Sequence, residues 1–310
     1  MQHFLDSSIG FPGLGIEINP SSGFFIGSFE IKWYGVIIAL GALLAAFYIF
    51  RRCKSFGIKE DEIYNVALIG LPSAILCARA YYVIFEWEHF FGPNNNWYDC
   101  INIRDGGLAI YGAIIGAFLS IFLYLFLSKK RRPTLLPICD LTSFGLLIGQ
   151  CIGRWGNFFN REAHGGITSE SFFLRMRLFE GGEWIEVHPT FLYESVWNAI
   201  GFVILHFASK KRKYDGQVFL WYIAWYGLGR AFIESMRTDS LMLGPLRVSQ
   251  WLAGISCLTA VAILVYLRFF VKPDPAKKYA VVRAAEQSAV SEELTEEAEK
   301  RERYENEEEL

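Results

Sequence analysis

The stretch IKWYGVIIALGALLAAFYIF, residues 31–50, contains a single charged residue, Lys32, and is followed at once by Arg51 and Arg52. A bilayer hydrocarbon core about 30 Å thick is crossed by roughly 20 mainly apolar residues in a helix. Residues 31–50 therefore have the length and the composition of a transmembrane helix. Of the whole chain, 53% is hydrophobic and only 20% is charged, a balance that excludes an ordinary soluble globular protein.

Six more stretches of this kind follow along the chain. They cover residues 63–85, 108–128, 135–156, 190–209, 217–236 and 248–271. Each is long enough to cross the hydrocarbon core as a helix. We therefore predict an all-α, polytopic membrane protein with seven transmembrane helices.

The orientation of these helices is predicted by the distribution of lysine and arginine. Positive charge gathers in every second connection and after the last stretch, at Arg51, Arg52, Lys54 and Lys59, at Lys129, Lys130, Arg131 and Arg132, at Lys210, Lys211, Arg212 and Lys213, and at Arg268, Lys272, Lys277 and Lys278. Cytoplasmic connections carry such an excess. We therefore expect the N-terminus outside, the C-terminus inside, and a small external cap formed by residues 157–189 between the fourth and fifth helices.

The C-terminal segment differs from the rest of the chain in composition. Residues 276–310 hold eleven Asp and Glu against six Lys and Arg, a net charge of −5 in a chain whose total is −2. Acidic segments with few large apolar residues stay solvated. We predict a seven-span transmembrane domain over residues 1–275 and an acidic cytoplasmic tail over residues 276–310.

Several ionisable side chains interrupt the apolar stretches. They are Arg79, Asp140, Arg154, Glu194, His206, Arg230, Glu234 and Arg237. A charged group in lipid is costly unless it is paired or faces a polar cavity, so each is a candidate functional residue. Asp140 and His206 fall toward the cytoplasmic half, where we expect structural roles for both.

In the predicted orientation, six polar residues from six helices lie at the same depth, in the outer half of the membrane. They are Tyr34, Arg79, Tyr111, Arg154, Glu194 and Arg230. Tyr226, Arg230 and Glu234 are spaced four residues apart and therefore lie on one helix face. Buried arginines suit phosphate, because the guanidinium fork matches phosphate oxygens and stays charged in an apolar setting. A phospholipid headgroup is the anion most available at this depth.

The alternative for these charges is structural. Arg230 and Glu234 would then neutralise each other, and Arg79 would pair with a helix carbonyl or an acid. Arg237 would extend its charged head to the membrane interface.

The segment GRWGNFFNREAHG, residues 153–165, closely resembles the signature of the bacterial prolipoprotein diacylglyceryl transferases. Other matches follow in the family's order: Trp33-Tyr34-Gly35, Ala78-Arg79 with Tyr81-Tyr82-Val83, Asp105-Gly106-Gly107-Leu108 with Tyr111-Gly112, His188-Pro189-Thr190 with Leu192-Tyr193-Glu194, and Tyr226-Gly227 with Arg230, Glu234 and Arg237. The resemblance covers about residues 25–270.

The resemblance implies an enzyme of the bacterial inner membrane whose active site faces the outer leaflet. Its reaction would move the sn-1,2-diacylglyceryl group from phosphatidylglycerol to the lipobox cysteine thiol of a prolipoprotein signal peptide. A thioether forms and glycerol 1-phosphate is released, in the first step of lipoprotein maturation. By the same resemblance Arg154 and Arg230 are essential, and the other functionally sensitive positions are Tyr34, Asn157, Glu162, Gly165 and Tyr226. To the substrate-binding residues we add Arg79 and Glu234.

Two positions depart from the family's pattern. Tyr111 stands where some members have a histidine, and Arg161 stands where many have glycine, which places extra positive charge beside Glu162. The attacking thiol must lose its proton, and Tyr111, Glu162 or a water molecule can accept it. The sequence does not choose between these acceptors.

Other ligands and other functions are less well supported by the sequence. No His, Asp or Glu cluster has metal-ligand spacing, so we expect no metal ion, and we expect no other cofactor and no nucleic acid partner. A secondary transporter is the alternative function, because transporters also contain intramembrane charges. It predicts an inverted repeat and polar groups near the midplane, whereas we find no convincing repeat and charges gathered toward one side.

Overall fold

The computed structural model describes residues 8–91, 97–102, 107–127, 135–237 and 242–285, with residues 287, 288, 291 and 295 of the tail. The motif residues Asp105 and Gly106, the basic residues 129–132 and most of the acidic tail lie outside the described residues. The chain divides into two compact units, residues 1–51 with 139–278 and residues 52–138 with 279–310.

The long helices occur where the apolar stretches predict them. They are α1 (Trp33–Arg52), α2 (Glu60–Phe85), α4 (Ile110–Leu127), α5 (Leu135–Asn160), α6 (Thr190–Ser209), α7 (Gln217–Met236) and α8 (Val248–Phe270), with a short helix, α3 (Trp87–Phe91), after α2. Five of the described segments are long and apolar enough to cross a membrane: α1 with the 3-10 turn after it, α2, α5, α6 and α8. The chain is thus a mostly helical, multi-pass membrane protein.

The all-α prediction needs a correction outside the long helices, where eight short strands form among the described residues. They are β1 (Ile9–Phe11), β2 (Ile16–Ile18), β3 (Gly23–Ile26), β4 (Phe29–Lys32), β5 (Met176–Glu180), β6 (Glu183–Val187), β7 (Met242–Leu243) and β8 (Leu246–Arg247). Apolar side chains alternate along β5, so that Met176 and Leu178 are buried and Arg177 is exposed. Such alternation is typical of a strand with one covered face. Gly181 and Gly182 supply the two positive φ angles of the β5–β6 turn.

Four of these strands form one antiparallel sheet in the order β2-β1-β5-β6. The N-terminal segment joins residues 176–187 through the pairing of Gly10 with Arg177. The buried core beneath the sheet consists of Ile9, Phe11, Phe158, Met176, Leu178, Val187 and Phe191. Because Phe158 belongs to α5 and Phe191 to α6, this core fixes the end of one helix against the start of the other.

Two tryptophans join α6 to α7. The rings of Trp197 and Trp225 stack with centroids 4.3 Å apart, and each indole N–H donates to the backbone carbonyl of the other residue at 3.0 Å. A Cβ on Gly229 would lie 2.2 Å from the indole nitrogen of Trp197, and one on Gly201 would lie 2.3 Å from that of Trp225. Each ring therefore occupies space that only glycine leaves open.

Asp140 and His206 have contacts of a structural kind, as their position in the sequence predicts. The Asp140 carboxylate is fully buried and accepts the backbone N–H groups of Gly216 and Phe219, each at 2.8 Å. It therefore caps the start of α7 from α5. His206 lies with its Nδ1 2.6 Å from the hydroxyl of Tyr48 on α1.

In the second unit, α2 and α4 pack closely through glycine. A Cβ on Gly112 would lie 2.3 Å from the carbonyl oxygen of Cys77, and one on Gly116 would lie 2.4 Å from that of Ser73. Small residues at such spacing let helix backbones approach each other in a membrane. The first turns of the tail belong to this unit, where Arg283 donates to Glu62 at 3.2 Å.

Candidate active site

Arg154 lies near the end of α5, where the helix enters the signature segment. Its Nη2 donates to Glu194 Oε1 on α6 at 2.6 Å, and its Nη1 donates to Asn157 Oδ1 at 3.2 Å. About a fifth of the Arg154 side chain is exposed, whereas the Glu194 carboxylate is almost fully covered. The ion pair thus lies where a mobile ligand can reach the arginine but not the acid.

Glu194 also holds the second predicted arginine. Its Oε2 accepts from Arg230 Nη1 on α7 at 3.0 Å, and Arg230 Nη2 lies 2.7 Å from Glu234 Oε2. Glu234 in turn accepts from Ser249 Oγ on α8 at 2.6 Å. Two arginines and two glutamates from three helices therefore form one continuous chain of ion pairs, which we call the arginine cluster (Arg154, Glu194, Arg230 and Glu234).

The arginine cluster is an expensive way to stabilise a fold. Moving charged groups out of water costs several kcal/mol per ion even in a real protein interior, so apolar residues of the same volume often serve stability as well or better. The two positive and two negative charges of the arginine cluster balance. Each guanidinium still has N–H groups for a further hydrogen bond, because arginine has five donors. Within the described residues, the hydrogen bonds and ion pairs of Arg154 and of Arg230 each go to two side chains. The arrangement is therefore suited to binding a further anion.

Asn157 connects the arginine cluster to Glu162. Its side-chain oxygen accepts from Arg154, and its amide nitrogen donates to Glu162 Oε1 at 2.9 Å. Asn160 donates to the same carboxylate oxygen at 3.3 Å. Glu162 is exposed, so the side chain of Asn157 joins an exposed carboxylate to the partly buried guanidinium of Arg154.

The backbone after α5 turns sharply at two residues. Arg161 and Ala163 have φ angles of 56° and 57°, in the left-handed region that glycine occupies at least cost. The Arg161 guanidinium donates to the carbonyls of Phe159 at 3.3 Å and Pro20 at 2.7 Å. Burial lowers its pKa from an ordinary value far above neutrality. These two hydrogen bonds of Arg161 go to backbone carbonyls, whereas Glu162 accepts from the side chains of Asn157 and Asn160.

Gly165 is a point of close approach between the signature segment and two helices. Its N–H donates to the carbonyl of His188 just before α6 at 2.8 Å, and Gly166 N–H donates to the carbonyl of Met236 at the end of α7 at 2.7 Å. A Cβ on Gly165 would lie 2.7 Å from the Cβ of His188 and 3.0 Å from a methyl group of Thr190. The glycine is therefore required by packing.

Replacing Gly165 with alanine is expected to lower the free energy of unfolding by about 1–3 kcal/mol through overpacking and to reduce transfer activity, because the signature segment must shift. Thermal unfolding in detergent and initial rates measure both effects. Gly149→Ala in α5 is the matched control, since nothing lies within 4 Å of its added Cβ. Equal stability and activity of the two variants would contradict the packing role.

Tyr34 and Tyr226 lie in the same unit as the arginine cluster. A Cβ on Gly156 would lie 2.7 Å from the ring of Tyr34, so this tyrosine packs directly against α5 within the signature segment. Tyr226 stacks on Tyr222 with centroids 5.8 Å apart, and the Tyr222 hydroxyl accepts from Gln150 Nε2 at 3.0 Å. Gln150 stands one helical turn before Arg154, so polar contacts continue along α5 and α7 beyond the ion pairs.

Arg79 and Tyr111 belong to the other unit. Arg79 is buried and donates to three backbone carbonyls, those of Cys100 at 2.8 Å, Gly107 at 2.9 Å and Asp99 at 2.7 Å. These contacts are those of a structural support for the residues before α4. Tyr111 is half exposed, with its ring centroid 6.3 Å from that of Tyr81. The substrate roles of both residues remain predictions.

Sequence reasoning missed two polar residues and undervalued a third. Ser249 and Gln150 were not predicted, because an uncharged polar residue within an apolar stretch does not by itself indicate a functional site. Glu194 was predicted to share the depth of the arginines, but its contact with both of them was not. Its signal was present, since a lone acid in the fifth apolar stretch needs a cationic partner from another helix.

Comparison with known proteins decides the family. The sequence model of the prolipoprotein diacylglyceryl transferases matches residues 22–266. The chain belongs to this family. It is therefore a transferase. The family resemblance of the sequence motifs is confirmed, and the alternative function as a transporter is not favoured.

Bacterial relatives agree along almost their whole length. A phosphatidylglycerol–prolipoprotein diacylglyceryl transferase of Ligilactobacillus salivarius is 42% identical over 276 residues, which cover 86% of this chain and 98% of the relative. The enzyme of the same name from Clostridioides difficile is 42% identical and covers 77% of this chain and 91% of its own. One from Clostridium botulinum strain Langeland is 44% identical and covers 79% and 95%.

Proposed function

We propose that the protein transfers the sn-1,2-diacylglyceryl group of phosphatidylglycerol to the lipobox cysteine of prolipoproteins, as the first step of their maturation. Family membership and the names of the relatives support the reaction class and both substrates. The observation that carries the proposal is the arginine cluster, in which Glu194 holds Arg154 and Arg230 at one carboxylate.

The reaction is a substitution at the glyceryl carbon bonded to the phosphate. The cysteine sulfur forms a bond to this carbon as the carbon–oxygen bond breaks, the thiol proton is lost, and the electron pair leaves with glycerol 1-phosphate. Negative charge therefore increases on the departing phosphate oxygen. Arg154 and Arg230 would stabilise it, because preorganised cations in a site with little water act most strongly on charge that develops in the transition state.

The proton acceptor is Glu162, Tyr111 or a water molecule. Glu162 is supported by its link through Asn157 to Arg154, and by its exposure to a substrate. The remaining predicted residues, Tyr34, Gly165, Tyr226, Glu234 and Arg79, would bind substrate or hold the binding residues in place.

We further propose that all seven long helices span the bacterial inner membrane. At 1.5 Å per residue, the 18 residues of α4 reach about 27 Å and the 20 residues of α7 about 30 Å, close to the hydrocarbon thickness. Lysine and arginine clusters support an external N-terminus and an internal C-terminus. In this orientation the sheet of β1, β2, β5 and β6 would be the external cap, and the arginine cluster would lie in the outer leaflet. Residues 1–275 would form the transmembrane domain, and residues 276–310 would form a cytoplasmic tail.

A direct assay tests the proposed reaction. Purified protein is incubated with phosphatidylglycerol labelled in the diacylglyceryl part and a peptide that carries a lipobox cysteine. We expect a labelled thioether peptide and an equal amount of glycerol 1-phosphate, and no product from the Cys→Ser peptide. A folded preparation that gives no thioether would contradict the proposal.

The same assay decides between two proton acceptors. Loss of transfer in Tyr111→Phe, with normal transfer in Glu162→Gln, would assign the proton to the phenol. The reverse result would assign it to the carboxylate. Tyr124→Phe, a buried tyrosine near the other end of α4, is the control.

A further inference from the structure

A cleft lined by both polar and apolar side chains lies far from the arginine cluster, where α7 begins and α8 ends. Its volume is about 120 Å³, and it opens to the surroundings. The residues that line it include Lys213, Tyr214, Gln217, Leu264, Leu267 and Arg268. Gln217 and Arg230 are thirteen residues apart on α7, which corresponds to about 20 Å along the helix. The two sites are therefore separate.

The walls of the cleft are held by hydrogen bonds. The Tyr214 hydroxyl lies within bonding distance of the carbonyls of Leu267, at 3.1 Å, and Val271, at 2.8 Å, so the connection before α7 is fixed to the end of α8. Gln217 Oε1 accepts the backbone N–H of Lys213 at 2.6 Å. With the Asp140 cap on the same turn, the cleft is a formed feature of the fold.

The cleft carries unbalanced positive charge. Nearby acids already have cationic partners, since Asp215 lies 4.0 Å from Arg212 and Asp274 lies 3.6 Å from Lys277. Lys213 and Arg268 have no ion pair among the described residues. Both are exposed, so two cations are available at one opening.

One wall of the cleft is apolar. Leu264 and Leu267 contribute to it from α8, and the helix surface beside them exposes Val265 and Phe269. A soluble anion would gain nothing from such a surface, whereas an acyl chain buries apolar area against it. Basic pockets between membrane helices are sites where anionic lipid headgroups bind.

We propose that this cleft binds an anionic phospholipid, with the phosphate between Lys213 and Arg268 and an acyl chain along Leu264 and Leu267. A guanidinium and an ammonium both form charge-assisted hydrogen bonds to phosphate oxygens. Binding does not depend on the proposed transferase reaction. In the proposed orientation this cleft faces the inner leaflet, and that placement alone rests on the orientation.

Native mass spectrometry of the full-length protein in detergent tests the site. Dioctanoyl phosphatidic acid is added, dioctanoyl phosphatidylcholine and inorganic phosphate serve as separate arms, and the number of retained lipids is counted. We expect two retained phosphatidic acids, one at the arginine cluster and one in the cleft. The double variant Lys213→Gln/Arg268→Gln should weaken one of them by about tenfold or more.

Control variants separate the possible outcomes. Arg51→Gln/Lys211→Gln removes the same charge from exposed residues outside the cleft lining and should keep both lipids. Arg230→Gln should lose the other lipid only. Equal retention by the cleft variant and its control would overturn the proposal. Loss of all lipid in Arg230→Gln would overturn it as well. Neither result would contradict the proposed transferase reaction. Inorganic phosphate that displaces the cleft lipid at millimolar concentration would overturn the choice of a lipid.

Discussion

Arg154→Lys and Arg230→Lys are each expected to reduce the kcat of diacylglyceryl transfer by about a hundredfold or more, as loss of one well-placed donor to a developing anion does. Lysine keeps the charge but loses the planar fork. Arg154 uses that fork to hold Asn157 and Glu194 at once, and Arg230 uses it to hold Glu194 and Glu234. An ammonium group at the end of a flexible chain cannot keep two such contacts and also bind phosphate.

The control for these variants is Arg175→Lys, which changes an ion pair with Glu186 at 2.8 Å in the sheet region. It should keep nearly full activity, because that pair does not touch the arginine cluster. Initial rates at saturating phosphatidylglycerol measure the effect, and thermal unfolding shows that each variant is folded. Near-normal kcat in both Arg154→Lys and Arg230→Lys would remove the arginines from the chemical step.

Helix positions could be predicted because hydropathy reports them directly. Residues 190–209 and 217–236 coincide with α6 and α7. The fourth stretch was predicted to end at residue 156, but α5 continues to Asn160, since a helix does not stop where its sequence leaves the apolar core. This extra turn places Asn157 on the helix beside Arg154.

The sheet was not predicted, although part of its signal was present. Alternating apolar residues on both sides of Gly181-Gly182 are typical of a hairpin, and they explain β5 and β6. The pairing of β1 with β5 joins residues more than 160 positions apart. No local pattern specifies such a contact, because the register depends on the folded helices beneath it.

The composition of the candidate site could be predicted better than its contacts. Charge within apolar stretches identified both arginines and both glutamates. The structural alternative for Arg230 and Glu234 was correct that they form a pair, but Glu194 extends that pair to Arg154. The partners of Arg79 were unpredictable, since they are backbone carbonyls and every residue has one.

Glu194→Gln is expected to lower kcat by a similar factor, about a hundredfold, although Glu194 is a positioning residue whose contacts are to the arginines. The substitution leaves two guanidiniums with one carboxylate, that of Glu234, and turns an amide N–H toward a cation. Breaking a buried, hydrogen-bonded charge pair also costs stability, here about 3 kcal/mol. Thermal unfolding and steady-state kinetics measure the two effects separately.

A merely structural role for Glu194 would lower stability and the amount of active enzyme but leave the KM for phosphatidylglycerol unchanged. Positioning predicts something else: an arginine cluster with net positive charge should bind the anionic lipid more tightly, so KM should fall together with kcat. Glu194→Asp keeps the charge on a shorter side chain and should recover part of kcat, because one of its two oxygens can still hold an arginine. Glu186→Gln, which removes the carboxylate beside Arg175, should alter neither constant. If Glu194→Gln instead kept kcat and raised KM, the carboxylate would contribute to substrate binding alone. The geometry of the two arginines in the transition state would then not depend on Glu194.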